Sequence, residues 1–330
     1  KITAVSAEET SGFFSRMLDS PALMILFAGI VVVLCIGICA LGLQNGIEKI
    51  TKVMMMLLIV LMLVLVVNSL RLKGAGEGLK YFLVPSFSRL KENGYGSVAF
   101  AAMTHAFFTL SVGIGAMEIF GSYLKKGRRI TGEAINVVIL DTFVAVMAGL
   151  IIIPACFAYG VQPDAGPSLL FITLPNVFQH MVGGRIWGCC FFVFMSFAAL
   201  STVIAVFENI ISFWIDMFGI SRKKSVLINT IIILIASLPC VFGFNIWSGF
   251  QIFGQNVLGM EDFLVSNILL PVGSLVYLLF CVTKFGWGFD NYLDECNTGK
   301  GIKFSKASKP YFKYVLPVLV LILIVQGFIK

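Results

Sequence analysis

One stretch of this chain places polar groups and two glycines inside an apolar run: His105-Ala-Phe-Phe-Thr-Leu-Ser-Val-Gly-Ile-Gly-Ala-Met-Glu118. Gly113 and Gly115 can adopt backbone angles that interrupt a helix, which frees backbone donors and acceptors. Helices broken near the membrane midplane build binding sites in transporters, because freed carbonyl groups bind cations and a half-helix N-terminus favours an anion. Close helix packing through small residues is the other explanation of these glycines, and the stretch alone leaves it open.

The composition surrounding this stretch is that of a membrane protein. Of the 330 residues, 58% are hydrophobic and 12% are charged, whereas soluble domains carry about 25% charged residues. A soluble fold of this length could not bury so much apolar surface, but a lipid bilayer can cover it. The net charge of +7 resides largely in loops, so it indicates membrane orientation and not a nucleic-acid partner.

Long continuous apolar runs predict helices and not barrel strands, which would alternate over about ten residues. A membrane-spanning helix needs roughly 20 apolar residues. About eight segments meet this condition, at 22–42, 48–70, 97–124, 131–157, 186–217, 225–243, 258–282 and 311–329. The sequence therefore predicts an all-α, multi-pass integral membrane protein in contact with the lipid bilayer.

Lysine and arginine residues cluster in alternate loops. They are Lys49, Lys52, Lys125, Lys126, Arg128, Arg129, Arg222, Lys223, Lys224, Lys284, Lys300, Lys303, Lys306 and Lys309. Positive loops face the cytoplasm, so 283–310 is predicted to be cytoplasmic, and 72–96, 158–185 and 244–257 external. The amphipathic stretch 79–90 is expected to lie on the membrane surface. Residues 160–183 fit either a short helical hairpin that acts as a lid or a plain connecting loop.

Several features argue against enzyme chemistry. The chain lacks the HExxH, Walker, GxSxG and CxxC motifs, each of which carries a known catalytic or metal-binding geometry. Most of its eight cysteines lie in apolar runs and form no ligand pattern with His105 or His180, so we interpret them as buried thiols. No enzyme activity and no organic cofactor are therefore expected.

Other polar residues interrupt the apolar segments. Asp141 lies in the fourth segment, where a buried acid costs a few kcal/mol and has a functional role by default. Ser201 and Thr202 are adjacent hydroxyls on the fifth segment, and hydroxyl oxygens suit an alkali cation. Such hydroxyls also bond back to their own helix, so they are weak evidence alone. Glu208 and Asp216 lie further along that segment, and Glu261-Asp262 opens the seventh.

Five motifs in order resemble the neurotransmitter:sodium symporter family, from its helix four to its helix eleven. They are Gly46-Ile-Glu-Lys-Ile-Thr-Lys52, Phe107-Phe-Thr-Leu-Ser-Val-Gly-Ile-Gly115 with Gly121-Ser-Tyr123, Gly166-Pro-Ser-Leu-Leu-Phe-Ile-Thr-Leu-Pro175, Phe197-Ala-Ala-Leu-Ser-Thr202 and Ser266-Asn-Ile-Leu-Leu-Pro271. The resemblance implies two inverted repeats of five helices around a midplane site. Residues 1–330 are then one transmembrane transporter domain that lacks the first three family helices, and further helices are expected upstream.

The resemblance also implies roles for individual residues. The first sodium site would use Thr109 and Asp141, and the second Ala198, Ser201 and Thr202. The substrate pocket would use Phe108, Thr109, Ser111, Ile114, Ser201 and Val206. The outer gate would use Phe108 and Asp262, and the inner gate Ser122, Tyr123 and Asp216.

Two departures from the family pattern are Asp141, which stands where many members have Asn, and His105, which stands where many have Gln. Chloride-dependent members hold their anion in this neighbourhood, with a Ser where this chain has Ala145. Because Asp141 supplies a negative charge itself, the resemblance implies chloride-independent transport. A protonatable pair of His105 and Asp141 could also couple proton movement.

Ile114 replaces a bulkier aromatic residue found in some members, which, together with Val206, suggests a pocket for a neutral hydrophobic amino acid, similar to leucine or tryptophan. The predicted function is sodium-coupled symport of such an amino acid by alternating access in a bacterial cytoplasmic membrane. The rivals are a channel, a regulatory membrane subunit and a fragment that does not transport. The sequence leaves open whether the protein forms a homodimer.

Overall fold

The computed structural model describes residues 7–42, 47–124, 126–160, 170–171, 174–180 and 182–329. It divides into two compact units: unit 1 comprises Lys1–Pro85 and Val144–Val257, and unit 2 comprises Ser86–Phe143 and Leu258–Lys330. Gly46, Lys125 and segment 161–169 of the predicted lid lie outside the described residues. The prediction of one transmembrane domain with the stated loop boundaries stays a prediction.

The described chain is built from helices. In order they are α1 (Ala7–Asp19), α2 (Pro21–Ala40), α3 (Lys49–Leu70), α4 (Ala75–Leu83), α5 (Phe87–Asn93), α6 (Tyr95–Thr109), α7 (Ala116–Ser122), α8 (Ile130–Ala158), α9 (Leu174–His180), α10 (Gly184–Phe218), α11 (Arg222–Ala236), α12 (Leu238–Gly243), α13 (Val257–Phe263), α14 (Leu270–Val282), α15 (Phe289–Asn297) and α16 (Leu316–Ile329). Wider π-helical turns at Leu264–Leu269 and Tyr311–Val315 lead into α14 and α16.

Seven helical stretches of the described chain are long and apolar enough to cross a membrane. They are Pro21–Ala40, Lys49–Leu70, Ile130–Ala158, Gly184–Phe218, Arg222–Gly243, Val257–Val282 and Lys306–Phe328. Each overlaps a predicted segment, which confirms the all-α membrane class. The remaining predicted segment, 97–124, is not one continuous helix, because it is divided into α6 and α7.

Local sequence signals account for several helix ends. Ser20 caps α2, since its hydroxyl accepts from the backbone N–H of Leu23 at 3.5 Å and Pro21 follows as the first helical residue. Gly219, with φ of 63°, ends α10. The amphipathic stretch 79–90 is divided between α4 and α5 around Pro85, because a residue before proline is disfavoured in the helical region.

Unit 1 has two apolar clusters, both of which involve α10. One contains Met62 of α3 and Phe191 of α10, each fully buried, and the other contains Cys35 and Cys39 of α2 with Ile204 of α10. In unit 2, Leu270 of α14 and Val320 and Leu323 of α16 are buried. The two clusters thus pack against successive parts of α10 within unit 1, at Phe191–Phe194 and at Ile204–Ile211.

Candidate functional site

The predicted helix break in unit 2 is present. α6 ends at Thr109 and α7 begins at Ala116, and Ser111, Gly113 and Gly115 have φ values of 52°, 92° and 91°. Such angles are unusual for a residue with a side chain, so Ser111 is strained. The N–H of Val112 donates to the carbonyl of Phe107 at 3.1 Å, five residues back, as the helical ladder is lost. The break takes the backbone groups of 110–115 out of the regular ladder.

Gly113 lies against the start of α14. A Cβ atom at Gly113 would lie 2.8 Å from the Ser274 hydroxyl and 2.9 Å from its backbone nitrogen, and closer still to the carbonyl oxygen of Leu270. In return, a Cβ at Gly273 would lie 3.1 Å from the carbonyl carbon of Gly113. The two glycines therefore let the broken segment and α14 approach backbone to backbone. Both explanations of the glycines hold together, since the segment is broken and also closely packed.

A cavity of about 330 Å³ adjoins the break within unit 2. Phe107, Val112, Ser274 and Tyr277 are among its lining residues. Its lining is mostly apolar, with the Ser274 hydroxyl donating to the carbonyl of Leu270 at 2.7 Å.

The other candidates of unit 2 have modest burial. The Thr109 hydroxyl donates to the carbonyl of Ala106 at 3.4 Å, and Asp141 is half-buried in the first half of α8. Phe108 is 50% exposed, while Ser111 and Ile114 are half-buried. The structure thus places Thr109, Ser111 and Ile114 at one break, and it puts Asp141 on a separate helix of the same unit.

In unit 1, α10 brings the three candidate ligands of the second sodium site together. The hydroxyls of Ser201 and Thr202 both donate to the carbonyl of Ala198, at 2.8 Å and 3.2 Å. A hydroxyl has one proton to donate and keeps lone pairs that can accept. The arrangement therefore gathers three oxygen atoms, two of which retain lone pairs for a cation. Oxygen atoms are the ligands that hard cations prefer.

The remaining predicted residues occupy separate positions. Val206 is half-buried and Asp216 is exposed, both on α10. The hydroxyl of Ser122 donates to the carbonyl of Ile119 at 2.7 Å, and Tyr123 follows it as an exposed residue. The Asp262 carboxylate accepts from the Ser266 hydroxyl at 3.1 Å. His105 is exposed on α6 in unit 2, and Ala145 is exposed on the part of α8 that belongs to unit 1.

A buried ion pair in unit 1 was not among the sequence-predicted sites. The fully buried carboxylate of Glu208 accepts two bonds from the guanidinium of Arg222, one of them at 3.1 Å from Nη1 to Oε1. The guanidinium also donates to the carbonyl of Cys39 through Nε at 2.9 Å and Nη2 at 2.7 Å. The pair thus links α10, α11 and the end of α2. An acid within an apolar segment, followed by an arginine at the next helix start, was the available signal.

Outside the membrane-spanning stretches, α15 contributes the half-buried Tyr292 and the buried Cys296 to unit 2. Burial raises the pKa of Tyr292, and the neighbouring thiol of Cys296 adds to this effect. Burial is also the largest cause of the raised pKa of Cys296. Both groups therefore stay neutral at physiological pH and act as parts of the packed end of unit 2.

The chain is similar to proteins that are already known. The model of the sodium:neurotransmitter symporter family matches residues 19–330. Among curated proteins, the chain is 32% identical over 328 residues to the uncharacterized sodium-dependent transporter YhdH of Bacillus subtilis, which covers 97% of this chain and 70% of that protein. A second uncharacterized sodium-dependent transporter, from Haemophilus influenzae, is 30% identical over 98% of this chain and 70% of its own length.

A more distant relative and a solved structure are also similar to this chain. The sodium- and chloride-dependent GABA transporter 2 of Mus musculus is 26% identical over 62% of this chain and 35% of its own length. The crystal structure of MhsT in complex with L-phenylalanine matches with a TM-score of 0.85 and 34% identity, covering 98% of this chain and 72% of that one. The likeness to MhsT supports the predicted all-α transporter fold.

Proposed function

Because this chain belongs to the sodium:neurotransmitter symporter family, a family of sodium-coupled transporters and not of enzymes, we propose that it carries out symport of sodium with a neutral hydrophobic amino acid. The family match over residues 19–330 carries the proposal, and the hydroxyls of Ser201 and Thr202, which donate to the carbonyl of Ala198 on α10, mark the position that we propose for one sodium ion. The membrane would be the bacterial cytoplasmic membrane. Alternating access around a midplane site is the mechanism that such broken-helix folds support.

For the first sodium ion we propose Thr109 and Asp141 in unit 2. An acid within an apolar helix is costly unless a cation balances it, and a bound sodium ion would supply that balance. In unit 2 the proposed substrate contacts are Phe108, Thr109, Ser111 and Ile114, and in unit 1 they are Ser201 and Val206. MhsT was solved with L-phenylalanine, which supports a hydrophobic amino acid as the substrate.

The residues that we propose as gates lie at or near helix ends. Phe108 and Asp262 would close the outer side, and Ser122, Tyr123 and Asp216 the inner side. Phe108 suits this role because its half-exposed ring can cover a substrate at low entropic cost, having only two side-chain torsions.

Replacing Thr202 with valine is expected to raise the sodium concentration that half-saturates uptake by about tenfold, which corresponds to about 1.4 kcal/mol. Valine preserves the shape of threonine but removes the hydroxyl oxygen that we propose binds sodium. The measurement is uptake of radiolabelled leucine and tryptophan into proteoliposomes that contain the complete gene product, at varied sodium with potassium as the replacement. Thr202→Ser keeps the oxygen and is the matched control.

Two results would overturn the proposed function. Uptake that is equally concentrative in potassium would remove sodium coupling, and competition by lysine or glutamate but not by leucine or tryptophan would remove the substrate class. Passive flux that follows the gradient of the solute would favour a channel. If the complete gene product neither bound nor took up the amino acid, with or without sodium, a regulatory subunit or a fragment that does not transport would be favoured.

Uptake is expected to continue when chloride is replaced by gluconate at constant sodium, because Asp141 supplies the negative charge that a chloride ion supplies elsewhere. Asp141→Asn removes that charge, so we expect it to create chloride dependence. Asp141→Glu keeps the charge and serves as the control. Loss of wild-type uptake without chloride would contradict the assignment.

A further inference from the structure

The loop between α12 and α13 joins two membrane-spanning stretches, Arg222–Gly243 and Val257–Val282. The sequence from Ser225 to Met260 contains no charged residue, and the basic cluster Arg222–Lys224 lies at the opposite end of the first stretch. Since basic residues mark the cytoplasmic side, the charge pattern predicts that loop 244–256 lies at the external surface of the bilayer. Two spanning helices enter and leave it, so its residues are held close to that surface.

A tight hairpin forms the tip of this loop. The N–H of Ile252 donates to the carbonyl of Gln255 at 2.9 Å, and the N–H of Gln255 donates back at 3.0 Å. The two central residues, Phe253 and Gly254, have φ values of 52° and 76°. Positive φ at both positions is the geometry of a type I′ turn, which favours asparagine or aspartate followed by glycine. A phenylalanine at the first position is strained.

Packing within the described chain does not compensate for this strain, because the Phe253 side chain is 92% exposed. Other apolar side chains of the loop are also open: Ile246 is 63%, Phe250 55% and Trp247 42% exposed. The Trp247 ring is held edge-on against Phe242 of α12 at 5.4 Å between ring centroids. The loop therefore presents an uncharged aromatic surface, which we call the 246–253 patch, next to the helix that leaves the membrane.

We propose that the 246–253 patch is a membrane anchor, in which the hairpin places Phe253 and Phe250 among the lipid headgroups and upper acyl chains of the external leaflet. Aromatic rings are enriched at this depth of the bilayer. Strained backbone geometry clusters at functional sites, and here the strained residue carries an aromatic ring that is 92% exposed. The patch follows a spanning stretch whose nearer part is also exposed, with Ile235 62% exposed, so a lipid is favoured over a separate protein partner. This inference concerns how the chain is seated in the bilayer and is independent of the transported substrate.

The test measures the depth of residue 253 directly. A keto-phenylalanine encoded at position 253 is coupled to a nitroxide label, which leaves the native cysteines in place, and the complete protein is reconstituted in lipid nanodiscs. Collision of the label with oxygen, which concentrates in lipid, is compared with collision with a water-soluble nickel chelate. Labels at Ile235, well within a spanning stretch, and at Lys303, exposed in the basic loop, provide the lipid and water references.

We expect the oxygen-to-nickel ratio at position 253 to exceed that at Lys303 at least threefold and to approach that at Ile235. A ratio equal to that at Lys303 would mean that the hairpin lies in water and would overturn the proposal. Low collision with both reagents would mean that protein covers the patch, either a second copy or another segment, and would overturn it as well. Asparagine suits the first central position of a type I′ turn, so the Phe253→Asn variant should remain folded. In this variant we expect a label at position 250 to shift toward the water reference, because the ring of Phe253 no longer contacts lipid.

Discussion

Replacing Gly113 with alanine is expected to abolish uptake and to lower the free energy of unfolding by about 2–5 kcal/mol. The methyl group faces two separate costs. A φ of 92° is strained for any residue with a Cβ, by about 1–2 kcal/mol. Overpacking against α14 adds about 1–3 kcal/mol, because the Cβ would lie 2.9 Å from the backbone nitrogen of Ser274, an atom that cannot turn away as a flexible side chain could.

Gly121→Ala is the matched control for this substitution. Gly121 lies in α7, its φ is not positive, and a Cβ there would meet nothing within 4 Å. Alanine at this position should preserve uptake and stabilise the helix by about 0.5–1 kcal/mol. Uptake and thermal unfolding are measured for both variants in the same detergent and lipid. If Gly113→Ala resembled Gly121→Ala in both measurements, the close approach to α14 would have no importance.

A reciprocal substitution separates strain from packing. Gly273→Ala introduces a Cβ 3.1 Å from the carbonyl carbon of Gly113 but requires no positive φ. It should therefore reproduce the packing cost of Gly113→Ala without its conformational cost. A smaller loss of stability in Gly273→Ala than in Gly113→Ala would confirm that both terms operate.

The sequence predicted the helices and the break well, because both depend on local chemistry. Continuous apolar runs specify helices whatever their neighbours, and Gly113 and Gly115 lie close together in an otherwise apolar segment. The oxygen group on α10 could also be predicted from the sequence, because Ser201 and Thr202 bond to a carbonyl within one helical turn of them. Pro85 carried the signal for the break between α4 and α5, but the amphipathic pattern of 79–90 obscured it.

The contacts between distant segments could not be predicted in the same way. The approach of Gly113 to Leu270 and Ser274 depends on the packing of the broken segment against α14, and apolar patterning alone does not specify it. Glu208 and Arg222 are 14 residues apart on two helices, and which residues face each other depends on the turn between those helices. A run of lysines and arginines predicts that a loop faces the cytoplasm. Because Arg222 belongs to such a run, its charge was interpreted as a topology signal and its structural role was not predicted.

Replacing Arg222 with methionine is expected to lower the free energy of unfolding by about 3–5 kcal/mol, the usual cost of removing one partner from a buried ion pair. Glu208 is 0% exposed, so its carboxylate would lose its cation in a place that water does not reach. The carbonyl of Cys39 would lose the two bonds that Arg222 donates to it. The measurement is the midpoint of thermal unfolding of the purified complete protein.

We expect the size of this effect to depend on the uncompensated charge of Glu208 and not on the loss of a side chain. Two comparisons test this expectation. Lys223→Met removes an exposed neighbouring charge and should change stability by less than about 0.5 kcal/mol. The double variant with Glu208→Leu and Arg222→Met removes both charges and should recover most of the loss, because apolar replacement of a whole buried pair is often neutral. If the double variant were as unstable as Arg222→Met alone, the contribution of Arg222 would come from its bonds to α2, and the ion pair itself would add little. The order of these three variants therefore distinguishes a charge that must be neutralised from a clamp that joins three helices.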